Sequence, residues 1–519
     1  MAEESAGARD GLHSVTRGTL VLLLGTLGYV GANFLARVLL VRNLTEGQFS
    51  EFYLALTLSG LLTALGQLGL PSAVARSIPF AATDAERRSI VRTGFLVTLP
   101  LAAGAAAVLF LVSFPISSQY HAPVLGLTLQ YFAVAVAGSI VASQIAAVFQ
   151  GFEEVRANAL FVQILTPLLF ILFLVLFVAP GPGRGALGYS GALLAYVLSN
   201  LVALGALVAY YDRRIRRHLP RGPADPAAGR HLIRFAVPLF VVGLLSFLSG
   251  SVDTLLLGFF HNSEVGAYGA DLSLARLLLV GLGALGYILL PVIARFVRAD
   301  DPSAVRVIYA TATKWMILTS LPLFLVFAFF PGPSLAFVYR ASYATTTAPL
   351  QILLVGAFAA TVTGPASIAL VAYGETRLLL YNGVAGALVD GALALLLTPG
   401  FGATGAALAW TAASAVVPIL SVAELAWFQG VHPFLPHYVV PLLAVGIPLG
   451  GLFALLPGPL PLWLLPVLVL GVAGAFVLVV VVTRSIDRGD RLLLEALEHL
   501  VGRRLPLVRS LARHFPPRE

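Results

Sequence analysis

The sequence predicts an all-α integral membrane protein, and three observations carry that expectation. Of its 519 residues 59% are hydrophobic and 11% charged, with a mean hydropathy of +0.93. The apolar residues gather into about fourteen stretches, each near the ~20 residues that a helix needs to cross ~30 Å of hydrocarbon. Most of the Lys and Arg fall between these stretches, where they act as topology signals.

In chain order the stretches run over 17–41, 49–72, 92–113, 123–149, 158–179, 187–210, 233–259, 265–294, 309–330, 347–372, 377–398, 402–427, 437–456 and 460–483. With the N-terminus inside, the inner segments collect Arg76, Arg87, Arg88 and Arg92, the cluster from Arg213 to Arg234, and the tail; the outer loops keep Arg42, Arg184 and Arg340. Both termini are therefore expected in the cytoplasm, in a multi-pass protein of the plasma (inner) membrane. The first apolar run lacks a small-residue cleavage site and is too long for a cleaved signal peptide.

The basic, Pro-rich segment 212–230 divides the chain. The expected organisation is an N-lobe of six helices (1–211), that cytoplasmic linker, a C-lobe of six helices (231–428), two appended helices (429–483) and a basic amphipathic tail (484–519). The tail places Leu493, Leu497, Leu500 and Val501 on one helical face, suited to the inner leaflet.

Several chemistries are excluded. The chain has no Cys, so it has no disulfide and no thiol chemistry. Its nine His fall into no HExxH or other ligand spacing, so no metal site is expected. No Walker A sequence occurs, and Lys314 in ATKW, the single lysine, follows no Gly-rich loop. No cofactor and no nucleic-acid partner is expected, and the chain is read as not an enzyme.

An internal repeat organises the rest. Ungapped alignment of Arg37 with Asp253 sets FSEF at Phe49 to Phe52 against VGAY at Val265 to Tyr268. One extra helical turn later, Pro71 and Arg76 fall near Pro291 and Arg295. GFEEVR ending at Arg156 echoes YGETR ending at Arg377, and GALLAY from Gly191 echoes GAALAW from Gly405. Because six helices per unit preserve orientation, this is a parallel repeat about an axis along the membrane normal, an arrangement that transporters use.

The strings VDTLLLGFFHNSEVGAYGADLSLAR, LPVIARF, AYGETR, LLLTPGFGATGAALAWTAASA and LLVRNLTEGQFSEFYLALTLSGLL resemble the polysaccharide-exporter branch of the multidrug/oligosaccharidyl-lipid/polysaccharide exporter superfamily, which includes flippases for lipid-linked O-antigen-type sugars. Ser50 stands where that family usually has Gly, and Asp390 where it often has Asn. The resemblance covers essentially the whole chain. It implies a polyprenyl-(pyro)phosphate-linked oligosaccharide moved from the cytoplasmic to the outer leaflet. The partners it implies are that glycan, membrane lipids and polysaccharide assembly enzymes; a monomer suffices.

Charges inside apolar sequence are the candidate site, because a charge in hydrocarbon costs several kcal/mol. Asn33 and Arg37, four apart, share a helix face, and the same spacing puts their repeat partners Ser249 and Asp253 on the equivalent face. Arg37 and Asp253 are candidates for an ion pair between the lobes that closes the outer gate. The structural alternative is snorkelling by Arg37 and hydrogen bonding by Asp253. Asp271 and Arg276 have Ala55 and Gly60 as equivalents, so they charge the second lobe alone; an Arg facing a cavity forks to phosphate oxygens, or pairs with a carboxylate of another helix. Asp390 is a candidate for ion coupling. Lys314, beside Trp315, is expected at headgroup level and Glu424 at an inner boundary. Gln130, Gln144, Gln163 and Asn200 are candidates to line the first lobe.

The expected function is a secondary transporter that flips the lipid-linked glycan by alternating access. The alternatives are an ion-coupled multidrug-type antiporter, a membrane glycosyltransferase or polymerase acting on lipid-linked sugars, and a non-transporting scaffold.

Overall fold

A computed structural model describes residues 25–482, apart from 155, 179–186, 218–225, 346, 433–445, 447, 454–460 and 462, and residue 490. Part of the linker, much of segment thirteen and the amphipathic tail beyond Asp490 lie outside the described residues. Among the described residues every regular element is helical, the solution that satisfies backbone groups within each segment in hydrocarbon. Ten stretches among the described residues are long and apolar enough to cross a membrane.

The helices follow in order. Helix α1 covers 25–43. Next come α2 (Glu46–Gln67), α3 (Leu70–Phe80), α4 (Asp84–Gln119) and α5 (Leu125–Gly151). A π-helical stretch, Asn158–Leu165, runs into α6 (Thr166–Phe177); then come α7 (Gly188–Tyr211), α8 (Pro226–Leu248) and α9 (Val252–Phe260). The remainder are α10 (Val265–Ala275), α11 (Val280–Arg298), α12 (Pro302–Phe329), α13 (Pro331–Val338), α14 (Ala348–Thr363), α15 (Pro365–Tyr373), α16 (Thr376–Gln429) and α17 (Leu464–Val482).

Local sequence sets the boundaries. Thr45 and Gln48 form a reciprocal capping box at α2, Thr83 caps α4 and Asp301 caps α12. Four of the predicted crossings are broken helices. The second breaks at Leu68 and Gly69, both left-handed, before Pro71. The seventh breaks between Leu248 and Val252, and the eighth at the 3-10 turn Arg276–Leu279. The tenth breaks at Gly364 and Pro365, whose ring removes a helical donor. Gly69 is required twice over: its φ is +70°, and an added Cβ would strike the backbone of Ala236 and Phe240 in α8.

At 54 residues α16 is about twice a crossing. It is two helices merged across Gly402, at φ 53° and ψ −133°. Glu264, in the turn between α9 and α10, accepts the Ala403 N–H at 2.6 Å and so caps the second half. His261 lies 3.2 Å from the Pro399 carbonyl on the other side of the kink.

Contacts divide the chain into two compact units. The first takes in the described residues from 25 to Ala270 with Leu393–Ala406; the second takes in Asp271–Ala392 and the described residues from Ala407 on. The first unit has a core of Leu70, Val74, Ile78, Ile90, Phe149, Leu207 and Leu232. The second unit builds its core from the corresponding places of the repeat, with Leu289, Ile293, Val305, Tyr309, Leu370 and Leu425. The repeat also shows in the turns. Glu154 donates back to the Phe149 carbonyl at 2.9 Å, and Glu375 to that of Leu370 at 3.0 Å. The left-handed residue before each is Glu153 in one turn and Gly374 in the other, so the two turns share one helix-ending geometry.

Candidate substrate cavity

In the first unit α1, α5, α6 and α7 enclose a cavity of about 300 Å³. Its polar lining repeats at helical spacing. Tyr29, Asn33 and Arg37 come from α1, Ser139 and Ser143 from α5, and Tyr196 and Asn200 from α7. The aromatic rings of Phe161 and Phe170 complete its walls.

Internal hydrogen bonds set these side chains. Asn33 donates to the Tyr29 carbonyl at 2.8 Å and Asn200 to that of Tyr196 at 2.8 Å, which leaves both amide oxygens oriented by their helices. Ser139 donates to Asn200 at 3.4 Å, and Gln67 of α2 donates to Ser143 at 3.1 Å. The Tyr196 ring stacks on Phe132, with centroids 4.2 Å apart. Arg37 is half-buried and places its guanidinium 5.0 Å over the ring of Tyr53. Among the described lining residues Arg37 carries the one fixed charge, and there is no carboxylate.

Asp253 lies in the same unit, fully buried in the first turn of α9, where the helix N-terminus favours a carboxylate. It accepts the hydroxyl of Tyr268. The neighbour of Tyr268, Gly269, packs against the Tyr53 ring on which Arg37 rests.

Ser249 requires a correction. The expected shared face with Asp253 does not exist, because α8 ends at Leu248 and α9 starts at Val252. Ser249 donates to the Leu245 carbonyl at 2.9 Å, while Gly250 and Ser251 make the turn.

The other candidates fall in the second unit. Asp271 is 2% exposed on α10, and its Oδ2 has no hydrogen-bond partner among the described residues. Arg276 is half-buried and opens the 3-10 turn before α11. Asp390 is fully buried in α16. Lys314 is 3% exposed and pairs with Asp490 at 2.6 Å, and Asp490 also accepts the Trp315 indole N–H. Glu424 accepts from buried Asn382 at 2.7 Å. Of the four amides, Asn200 lines the cavity; Gln144 is buried against Gly94 instead.

Sequence reasoning missed Tyr29, Ser139, Ser143 and Tyr196. The signal was there: Tyr29 continues the four-residue spacing of Asn33 and Arg37, and Ser139/Ser143 and Tyr196/Asn200 repeat it.

The fold is shared with solved helical membrane transporters. It matches a lipid II flippase, MurJ, in an inward closed conformation, with TM-score 0.68 and 11% identity over 88% of this chain and 98% of that one. An inward-facing multidrug resistance MATE transporter of the MOP superfamily matches at TM-score 0.60 and 15% identity, over 80% and 98%. A MOP superfamily transporter from Pyrococcus furiosus, described as having a binding pocket of reverse polarity, matches at TM-score 0.54 and 14% identity, over 80% and 96%. By sequence the chain belongs to the polysaccharide biosynthesis protein family, whose pattern it matches over residues 15–297, more than half its length. The MatE family pattern matches residues 238–396. A FAD transporter of Shewanella oneidensis is 30% identical over 147 residues, and the chain spans about a third of that relative's length (32%; 28% of this chain).

Proposed function

We propose that the protein is a flippase for a polyprenyl-(pyro)phosphate-linked oligosaccharide, working by alternating access with fourteen membrane crossings and both termini in the cytoplasm. The observation that carries this reading is the make-up of the cavity: hydroxyl, amide and aromatic groups around one cation, with no carboxylate among its described lining. Aromatic faces and amide or hydroxyl edges suit sugar rings, and Arg37 suits a phosphate or an acidic sugar. A cation-exporting drug antiporter needs the opposite sign of charge. At about 300 Å³ the cavity sits at the small end of ligand pockets, so it fits the leading sugars of a glycan rather than all of it.

In this reading Arg37, Asn33 and Asp253 act on the outer side of the pathway. Arg276 contacts phosphate, Asp271 shapes its surroundings, Ser249 gives a flexible joint and Asp390 couples an ion.

The FAD transporter relative favours a second reading. FAD also carries a pyrophosphate, hydroxyls and aromatic rings, so a soluble anionic substrate matches the chemistry of the same lining. Proteoliposomes decide: movement of a fluorescent lipid-linked sugar, unaffected by excess FAD, supports the flippase. Uptake of FAD without movement of the lipid supports the second reading, and export of a lipophilic cation alone contradicts both.

A further inference from the structure

A second cavity in the first unit, of about 280 Å³, opens where α3 ends, α4 begins and α8 begins. Arg76, Ser77 and Phe80 come from α3, Glu86 from α4, and His231 and Phe235 from α8. Arg76 is exposed, and among the described residues it makes no ion pair. Its guanidinium instead stacks on the Phe235 ring, 4.6 Å from the centroid. Stacking fixes the plane of a guanidinium while leaving its N–H edge free to fork to an anion.

Glu86 is the one carboxylate of the lining, and it is occupied: it accepts the Ala82 N–H at 2.8 Å, while its own N–H donates to Thr83 at 3.2 Å. That reciprocal cap holds Glu86 at the start of α4. Arg230 and Arg234, both exposed, flank His231 on α8 and add positive potential. Phe80 is 80% exposed beside these cations, an apolar ring where an acyl or prenyl chain would lie against the helix end.

We propose that this cavity binds a phosphate ester borne by a lipid, with Arg76 as its anchor. The phosphate chemistry stands on Arg76, Phe235 and His231; the identity of the lipid rests on the function proposed above.

The test uses the full-length protein in neutral detergent, with tritiated phosphatidic acid and tritiated farnesyl phosphate as probes. Arg76→Ala is expected to weaken both by about tenfold or more, the loss of a charge-assisted hydrogen bond. Glu86→Gln keeps an oxygen for the Ala82 N–H and removes the nearby negative charge. It is expected to tighten both probes by about threefold, a gain that misfolding would not produce. Arg298→Ala, an equal charge change in the second unit, is expected to stay within about twofold. The proposal is overturned if Arg76→Ala binds as the parent does, or if all three variants follow net charge. Displacement of both probes by inorganic phosphate at equal concentration would overturn the lipid assignment. A protein that binds both probes through Arg76 yet moves no lipid-linked glycan keeps this site and loses the flippase function. One that moves glycan while Arg76→Ala binds normally loses this site alone.

Discussion

The guanidinium of Arg37 rests 5.0 Å over the ring of Tyr53, and that ring packs against Gly269, next to the tyrosine that holds Asp253. The two charges that the sequence singles out, Arg37 and Asp253, are thus connected through Tyr53 and Tyr268. Tyr53→Phe keeps the ring and is expected to leave transport near the parent level. Tyr53→Leu removes a contact of about 0.5–2 kcal/mol and frees Arg37 to move. Transport by these two variants in proteoliposomes should therefore differ, and equal rates would show that the ring does not matter.

The carboxylate of Asp253 is buried and receives the Tyr268 hydroxyl. Tyr268→Phe withdraws that donor and should cost about 1–3 kcal/mol in thermal unfolding of the purified protein. Asp253→Asn keeps an acceptor for Tyr268, so its stability should hold while the charge is gone. Transport separates the two roles: loss in a stable Asp253→Asn would assign the charge to function.

The kink of α16 depends on Gly402 and Glu264 together. At φ 53° and ψ −133°, a region close to reserved for glycine, an alanine costs about 1–3 kcal/mol, and its Cβ would also collide with the Glu264 carboxylate. Gly402→Ala is expected to lower the melting temperature more than Gly400→Ala, whose Cβ would meet open space. Equal shifts would remove the special role of the kink.

Lys314 and Asp490 form an ion pair with side chains 3% and 10% exposed. Removing one partner strands a buried charge, a loss of about 3–5 kcal/mol, whereas replacing both can be neutral. Lys314→Met should therefore destabilise strongly, and Lys314→Met with Asp490→Leu should recover most of the loss in a double-mutant cycle.

The helical class and most of the long apolar helices were legible because apolar length reports them directly. The pairing of Lys314 with Asp490 was not, because the two are 176 positions apart and nothing local links them. Nor was the break at Ser249: the four-residue spacing to Asp253 assumes a continuous helix, and Ser-Gly-Ser ends it. At the site, Asn33 and Arg37 were found because charge and amide stand out in apolar sequence. Ser139, Ser143 and Tyr196 were missed because hydroxyls are common in membrane helices and only their convergence marks them.

The absence of native cysteine permits the most direct test of the cavity. A single Asn33→Cys, in a protein whose transport is retained, would be labelled with a membrane-impermeant maleimide in the presence and absence of a lipid-linked oligosaccharide. Substrate-dependent protection of Cys at this position, absent for a single cysteine at the exposed Leu111 of α4, is the predicted result. Transport of the glycan with no change in labelling at position 33 would contradict the assignment of this cavity to the substrate.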